Sequence, residues 1–146
     1  MSMSAGTVLC GARIAITALC CCLVLAWEIG FSAAEEKCDL LKGPCKKKAG
    51  DIEISLDISP KPVKAMERLL FSVSVKGGHT GETLFLDLAM PGMYMGNNRV
   101  FLKKAGDGKY YGKGIIPRCP TGKPLWSATI EPSGKTKVEF PFDVLY

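Results

Sequence analysis

The clearest structural signal in the sequence is the segment RVFLKKAGDGKYYGKGII, residues 99–116. Val100 and Leu102 lie on one extended segment, the chain turns at Gly106-Asp107-Gly108, and residues 109–116 form a second extended segment. An Asp-Gly pair between two such segments is the strongest short-range signal for a β-hairpin. The segment therefore predicts an antiparallel hairpin, in which the numbers of facing residues add up to about 214.

A two-residue alternation of apolar and polar side chains recurs along the rest of the chain. It marks extended segments at residues 52–59, 69–76, 84–88, 126–130 and 138–146, separated by Gly and Pro turns. With the hairpin they make about seven short strands, and we predict an all-β, antiparallel, immunoglobulin-like sandwich. A small open barrel is the alternative. Only residues 63–70 have helical spacing, with Met66 and Leu69 three positions apart.

The N-terminal 34 residues have the features of an export signal. Arg13 is the only basic residue among them, an apolar run over residues 14–27 follows, and Ser-Ala-Ala at 32–34 suits signal peptidase. The run is about 14 residues long, fewer than the roughly 20 that span a bilayer. We therefore predict a signal peptide at residues 1–34 and a periplasmic or otherwise extracytoplasmic protein. An uncleaved membrane anchor at residues 14–27 is the alternative.

The chain that remains after cleavage at residue 34 is long enough for one domain. Its formal charge stays at +5, with 18 basic and 13 acidic residues, because Arg13 and Glu28 leave together. Residues 35–50 form a lysine-rich segment, and residues 51–146 form the β-domain. Aromatic residues are not interleaved with arginines as they are in nucleic-acid binders, so no nucleic-acid partner is expected.

Three cysteines remain after cleavage. Cys38 and Cys45 flank a Gly-Pro turn, and in an oxidising compartment they are the expected disulfide. Cys119 is then the odd thiol, expected as a metal ligand, an intermolecular bridge or an inert packed side chain. A bridge from Cys119 to Cys38 or Cys45 is the alternative. Arg118 beside it is expected to help hold a thiolate.

Three methionines, Met90, Met93 and Met95, lie within six residues. Extending the hairpin register places Met95 roughly opposite Cys119, at about 5 Å. Thioethers and a thiolate are soft ligands that select copper(I). Met93 and Met95 face the same way on an extended segment, whereas Met90 continues the apolar phase of residues 84–88. The pattern gives a candidate copper(I) site of Met93, Met95 and Cys119, with Met90 as the less favoured ligand; methionines that simply fill the core are the competing explanation.

Nothing in the sequence suggests an enzyme. The only histidine, His79, is expected as a solvated loop residue before the strand over residues 84–88. The methionines follow that strand, so they should lie about 20 Å from His79. No Gly-x-Ser-x-Gly or phosphate-binding glycine loop occurs, and no general base is evident. We predict a non-enzymatic binding domain.

A run of motifs resembles the YtkA-like family of exported β-sandwich domains. The run begins with the Met-Pro-Gly-Met-Tyr-Met-Gly stretch at 90–96 and a valine-containing strand at 99–102, and continues with Asp-Gly-Lys-Tyr at 107–110 and Trp126. The resemblance covers residues 51–146. The resemblance implies an immunoglobulin-like fold and an envelope location, sometimes near copper-handling proteins. Among the candidate site residues, it extends only to Met90, Met93 and Met95.

Three functions therefore compete, of which a thiol-dependent redox protein is the least favoured. The first is an exported binding domain that docks an envelope or membrane partner in bacteria. The second is a protein that binds or carries copper(I) through Met93, Met95 and Cys119. Direct contact with the membrane is expected only through the N-terminal segment, if that segment is uncleaved.

Overall fold

The computed structural model describes residues 38–78, 81–132, 134 and 136–146. The predicted signal peptide, its alternative as an anchor, and His79 lie outside these residues. The described chain is all-β and contains no helix. Its strands are β1 (Cys45–Ala49), β2 (Ile52–Ser59), β3 (Leu69–Lys76), β4 (Thr83–Met90), β5 (Met93–Gly106), β6 (Lys109–Gly114), β7 (Leu125–Ile130) and β8 (Val138–Asp143).

All eight strands form one antiparallel sheet in the order β1-β2-β3-β6-β5-β4-β7-β8. The sheet curls until it is nearly closed, with β1 and β8 in contact across the remaining gap. The ammonium of Lys47 lies 6.0 Å from the ring centre of Phe140 at this gap. The predicted all-β antiparallel fold is confirmed, in the sandwich or barrel class.

The central hairpin forms as the sequence predicts. Lys103 faces Tyr111 and Lys104 faces Tyr110, so the facing residue numbers add up to 214. Gly108 closes the turn with φ 65°, a left-handed conformation that glycine adopts at little cost. Its carbonyl accepts a hydrogen bond of 2.7 Å from the amide of Val75, which ties the turn to β3.

Two expectations about local structure need correction. Strand β1 lies within the lysine-rich segment 35–50, so the sheet has an eighth strand, in which Cys45 is buried while Lys46 and Lys48 are exposed.

Residues 63–70 form no helix. The amide of Ala65 donates to the carbonyl of Leu145 and that of Met66 to Ile116, at 2.9 Å each, so these groups are committed to other segments.

The alternation seen in the sequence packs the interior of the sheet. In β2, β3, β4 and β8 every second side chain is buried, and the opposite phase faces outward. The largest fully buried side chains are Trp126, Tyr110, Phe71 and Phe140. Tyr110 donates its phenolic hydrogen to the carbonyl of Gly81, and Trp126 donates its indole hydrogen to Tyr146, so both buried polar groups are satisfied.

Strand direction sorts the connections into two ends of the sheet. One end holds the segments 38–44, 60–68, 91–92, 115–124 and 144–146; with Met90 and residues 93–95 beside them we call it the methionine end. The connections 50–51, 77–82, 107–108 and 131–137 begin and end at the other end of the sheet, which we call the glycine end because six of their residues are glycine. Every strand runs from one end to the other, so all connections of a given end lie together.

Candidate functional site at the methionine end

The methionine end gathers every sulfur-bearing side chain of the described residues. These are Cys38, Cys45, Met66, Met90, Met93, Met95 and Cys119. Met90 and Cys119 are buried in the core, and Met93 and Met95 are half-buried against it. Met66 is 67% exposed. The candidate ligands named from the sequence therefore lie at one end of the fold, in or against the hydrophobic core.

Met90 and Met93 face each other directly as the last pair of the β4–β5 ladder. The preceding pair is Leu88 with Asn98, so two steps along β4 correspond to five along β5, and β5 bulges there. Asn98 supports the bulge through a 3.0 Å hydrogen bond from its side-chain amide to the carbonyl of Met95. The bulge turns Tyr94 outward, 85% exposed. Sequence reasoning missed this residue.

The position of Cys119 follows from the order of the strands. The connection over residues 115–124 leaves β6 and reaches β7, which lie on either side of β5 and β4 in the sheet. It therefore crosses the end of the sheet where the β4–β5 turn carries Met90 and Met93. The hairpin ladder does not extend to Cys119 as predicted: β6 ends at Gly114, and the carbonyl of Ile116 accepts the amide of Met66 instead.

The thiol of Cys119 is only 2% exposed and is a free cysteine. Its sulfur lies 3.1 Å from the hydroxyl of Thr121. That hydrogen bond lowers the pKa of the thiol; burial opposes it, and the backbone amides of Thr121, Lys123 and Gly122 add to the lowering. The groups that favour a thiolate are thus Thr121 and local backbone amides, and not Arg118 as the sequence suggested.

The predicted disulfide is present between Cys38 and Cys45, whose Cα atoms are 5.3 Å apart. The alternative bridge to Cys119 is therefore wrong. The loop that the disulfide closes lies beside the ends of β7 and β8, and a groove of about 430 Å³ opens between them. Leu41, Leu125 and Phe142 line it together with the carboxylates of Asp39 and Asp143.

Exposed apolar side chains are concentrated at the methionine end. Of ten large hydrophobic residues exposed among those described, six lie in or next to its connections: Met66, Tyr94, Ile115, Leu125, Leu145 and Tyr146. The glycine end has no large hydrophobic residue in any of its connecting segments. A cluster of exposed apolar side chains on one part of a soluble domain indicates an interaction surface.

The two ends also differ in charge. The connecting segments of the methionine end contain six basic and two acidic residues, a formal charge of +4. Those of the glycine end contain two basic and four acidic residues, a formal charge of −2. Neither the separation of these charges nor the strand order that produces it is evident from the sequence read alone.

Within the described chain, no group of three or more His, Cys, Asp or Glu side chains is placed to hold a metal ion. The same residues include no helix with the length and hydropathy needed to cross a membrane. No family model, curated protein or solved structure matches the chain.

Proposed function

We propose that the protein is an exported, non-enzymatic binding domain that docks an envelope or membrane partner through its methionine end. The observation that carries the proposal is the concentration of exposed apolar side chains there, headed by Met66 and Tyr94. A monomeric domain that leaves such side chains together in water gains by covering them.

The chemistry of these side chains suits a docking surface. Methionine adapts its shape to different contacts because its side chain is unbranched and its sulfur is polarizable. Tyrosine offers a large apolar ring with a polar tip, and it is enriched at protein interfaces for that reason. Met66 lies in the loop after β2 and Tyr94 lies near the start of β5, at the same end of the sheet, so a partner that covers this end is expected to contact both.

The location of the partner comes from the sequence. The N-terminal 34 residues have the pattern of an export signal, and the YtkA-like resemblance of residues 51–146 implies an envelope protein. The disulfide between Cys38 and Cys45 suits an oxidising compartment. A partner in the bacterial envelope follows.

Photo-crosslinking in intact cells tests this proposal. A photoreactive amino acid replaces Tyr94 in one variant and Glu82, an 89% exposed residue of the glycine end, in the matched control. We expect a specific adduct, to a protein or to lipid, from position 94 and none from position 82. Adducts of equal yield from both positions, or none from position 94, would contradict the proposal.

A second candidate function is copper(I) binding by Met93, Met95 and Cys119. The observation that favours it is that the 115–124 connection lies at the same end of the sheet as the paired Met90 and Met93, with the four sulfur-bearing side chains in or against the hydrophobic core. Thioethers and a thiolate of lowered pKa are the donors that copper(I) prefers. Because Cys119 is buried, the connection has to move outward to admit the ion.

Anaerobic titration of copper(I) against a competing chelator separates this candidate from the first. Loss of binding in both Met93→Leu and Cys119→Ser supports it, provided that Met66→Leu, at an exposed methionine outside the cluster, binds normally. Binding equal to that of the chelator blank in the unmodified protein would rule it out.

A further inference from the structure

We infer that the partner of the methionine end is the surface of an anionic lipid bilayer, an inference that rests on the docking role proposed above. The sequence predicted membrane contact only through the N-terminal segment. The folded domain offers a surface of its own, made from unpaired cations and exposed apolar side chains that share one end of the sheet.

One component of this surface is a set of basic side chains. Lys42, Lys61 and Lys64 form ion pairs with Asp39, Asp57 and Glu67. Among the described residues Arg68, Arg118 and Lys123 have no such partner. Unpaired basic side chains beside a bilayer are attracted by its anionic headgroups, and the attraction weakens with salt.

Apolar side chains lie among these cations in the same loops. Ile115, 50% exposed, is three residues from Arg118, and Leu125, 45% exposed, is two residues from Lys123. Tyr94, near the start of β5, and Met66, in the loop after β2, are exposed at the same end of the sheet. Proteins that rest on a bilayer combine apolar and aromatic side chains, which enter the headgroup region, with basic ones that meet the phosphates.

The path of the chain points to the same occupant. Cys38 lies at the methionine end, so the chain that precedes it joins the domain there. Only ten residues, 28–37, separate Cys38 from the apolar run over residues 14–27. The chain that leads from this apolar run therefore enters the domain at its methionine end.

The glycine end supplies the contrast that orients the domain. Its connecting segments carry a formal charge of −2 and no large hydrophobic residue. An anionic surface repels it, and it has no apolar side chains to insert. Charge and hydropathy therefore both favour the same orientation, with the methionine end toward the lipid.

Hydrogen exchange of the full chain with vesicles tests the inference. We compare vesicles of phosphatidylglycerol, which are anionic, with neutral vesicles of phosphatidylcholine. We expect amides at 64–68, 93–96 and 115–123 to exchange at least about fivefold more slowly with the anionic vesicles. Amides at 50–51, 77–78 and 107–109 should keep the same rate with both. Because the same chain is compared on two lipids, the result does not depend on whether the N-terminal segment is retained.

Two charge-reversal variants sharpen the test. Arg118→Glu combined with Lys123→Glu should abolish the extra protection. Lys103→Glu combined with Lys109→Glu is the matched control, since it changes the net charge equally at residues that have no ion pair and lie toward the glycine end. The control variant should keep the protection. An equal loss in both variants would overturn the inference, because it would reduce the effect to net charge.

The result can be separated from the test of the docking role. Equal exchange on both lipids, together with a protein adduct from position 94 in cells, would overturn lipid binding and leave the docking role standing. Equal exchange on both lipids without any adduct from position 94 would contradict both.

Discussion

The glycine end and the methionine end close the same eight strands in different ways. At the glycine end two of the four connections are two-residue turns, at 50–51 and 107–108, and six residues of its connections are glycine. At the methionine end the connection after β6 takes ten residues and crosses two strands, and the loop after β2 takes nine. Long connections that expose apolar side chains are not needed to close a sheet. The short turns of the glycine end therefore serve the fold, whereas the long connections of the methionine end are available for binding.

Removal of the disulfide should have the largest effect on stability, and it acts on the methionine end. Closing a loop of about eight residues contributes about 2.5 kcal/mol in the chain-entropy treatment, so Cys38→Ser with Cys45→Ser should lower the free energy of unfolding by that amount. Denaturant unfolding at neutral pH measures it. Wild-type protein treated with reductant should match the variant, and a wild type that unfolds identically with and without reductant would contradict the prediction.

Two glycine substitutions, one at each end of the sheet, compare the stability that the two ends contribute. Gly108 and Gly122 have nearly the same φ, 65° and 68°, but a side chain at Gly108 meets the carbonyl oxygen of Val75, whereas Gly122 has open space around it. Both Gly→Ala changes carry the left-handed penalty of about 1–2 kcal/mol. We expect Gly108→Ala to lower the free energy of unfolding further, because β3 must shift. Equal losses in denaturant unfolding would show that the close approach at the glycine end has no consequence.

The Cys119 thiol adds a pH dependence at the methionine end. The hydrogen bond from Thr121 lowers its pKa in the folded chain, so the thiolate favours folding. This contribution is complete above the unfolded pKa of about 8.5 and is lost as the pH falls through the lower folded value. Thr121→Val should therefore cost more stability at about pH 9 than at about pH 6, relative to Thr121→Ser, which keeps the hydroxyl. A cost that is independent of pH would show that the hydroxyl does not act on the thiolate.

The exposed residues of the methionine end should have the smallest effect on stability. Tyr94→Ser and Met66→Asn should each change the free energy of unfolding by less than about 0.5 kcal/mol, because neither side chain is buried and Asn tolerates the positive φ of Met66. Both variants should lose the lipid protection, and Met66→Asn should also weaken the photo-crosslink from position 94. A large loss of stability in thermal or denaturant unfolding would mean that these side chains belong to the core and are not free for a partner.

The sequence predicts the strands better than their arrangement. Alternation along residues 52–59 and 69–76 gives the buried face correctly, and the Asp-Gly turn gives the register of the central hairpin, because both are local effects. Strand β1 is not recognisable in the sequence because it contains three consecutive lysines, Lys46 to Lys48, and an edge strand rich in lysine resembles a loop in composition.

The candidate site depends on facts that are not local. The crossing of residues 115–124 over the β4–β5 turn follows from strand order, which no alternation pattern encodes. The sequence grouped Cys119 with the methionines through an extended ladder, whereas the crossing is what brings them to one end. The exposure of Tyr94 depends on the bulge in β5, and Gly96 was the one sequence sign of it, because glycine inside a strand often marks a bulge.

Methionine oxidation in intact cells tests the docking role of the methionine end most directly. Met66 is 67% exposed, and its conversion to the sulfoxide by brief dilute peroxide can be followed by mass spectrometry without a substitution at this position. A Glu82→Met variant places a reporter at the glycine end, where the native side chain is 89% exposed. We predict that Met66 oxidises readily in the purified protein and much more slowly in cells, while Met at position 82 oxidises at the same rate in both. Equal oxidation of Met66 in both settings would contradict the account.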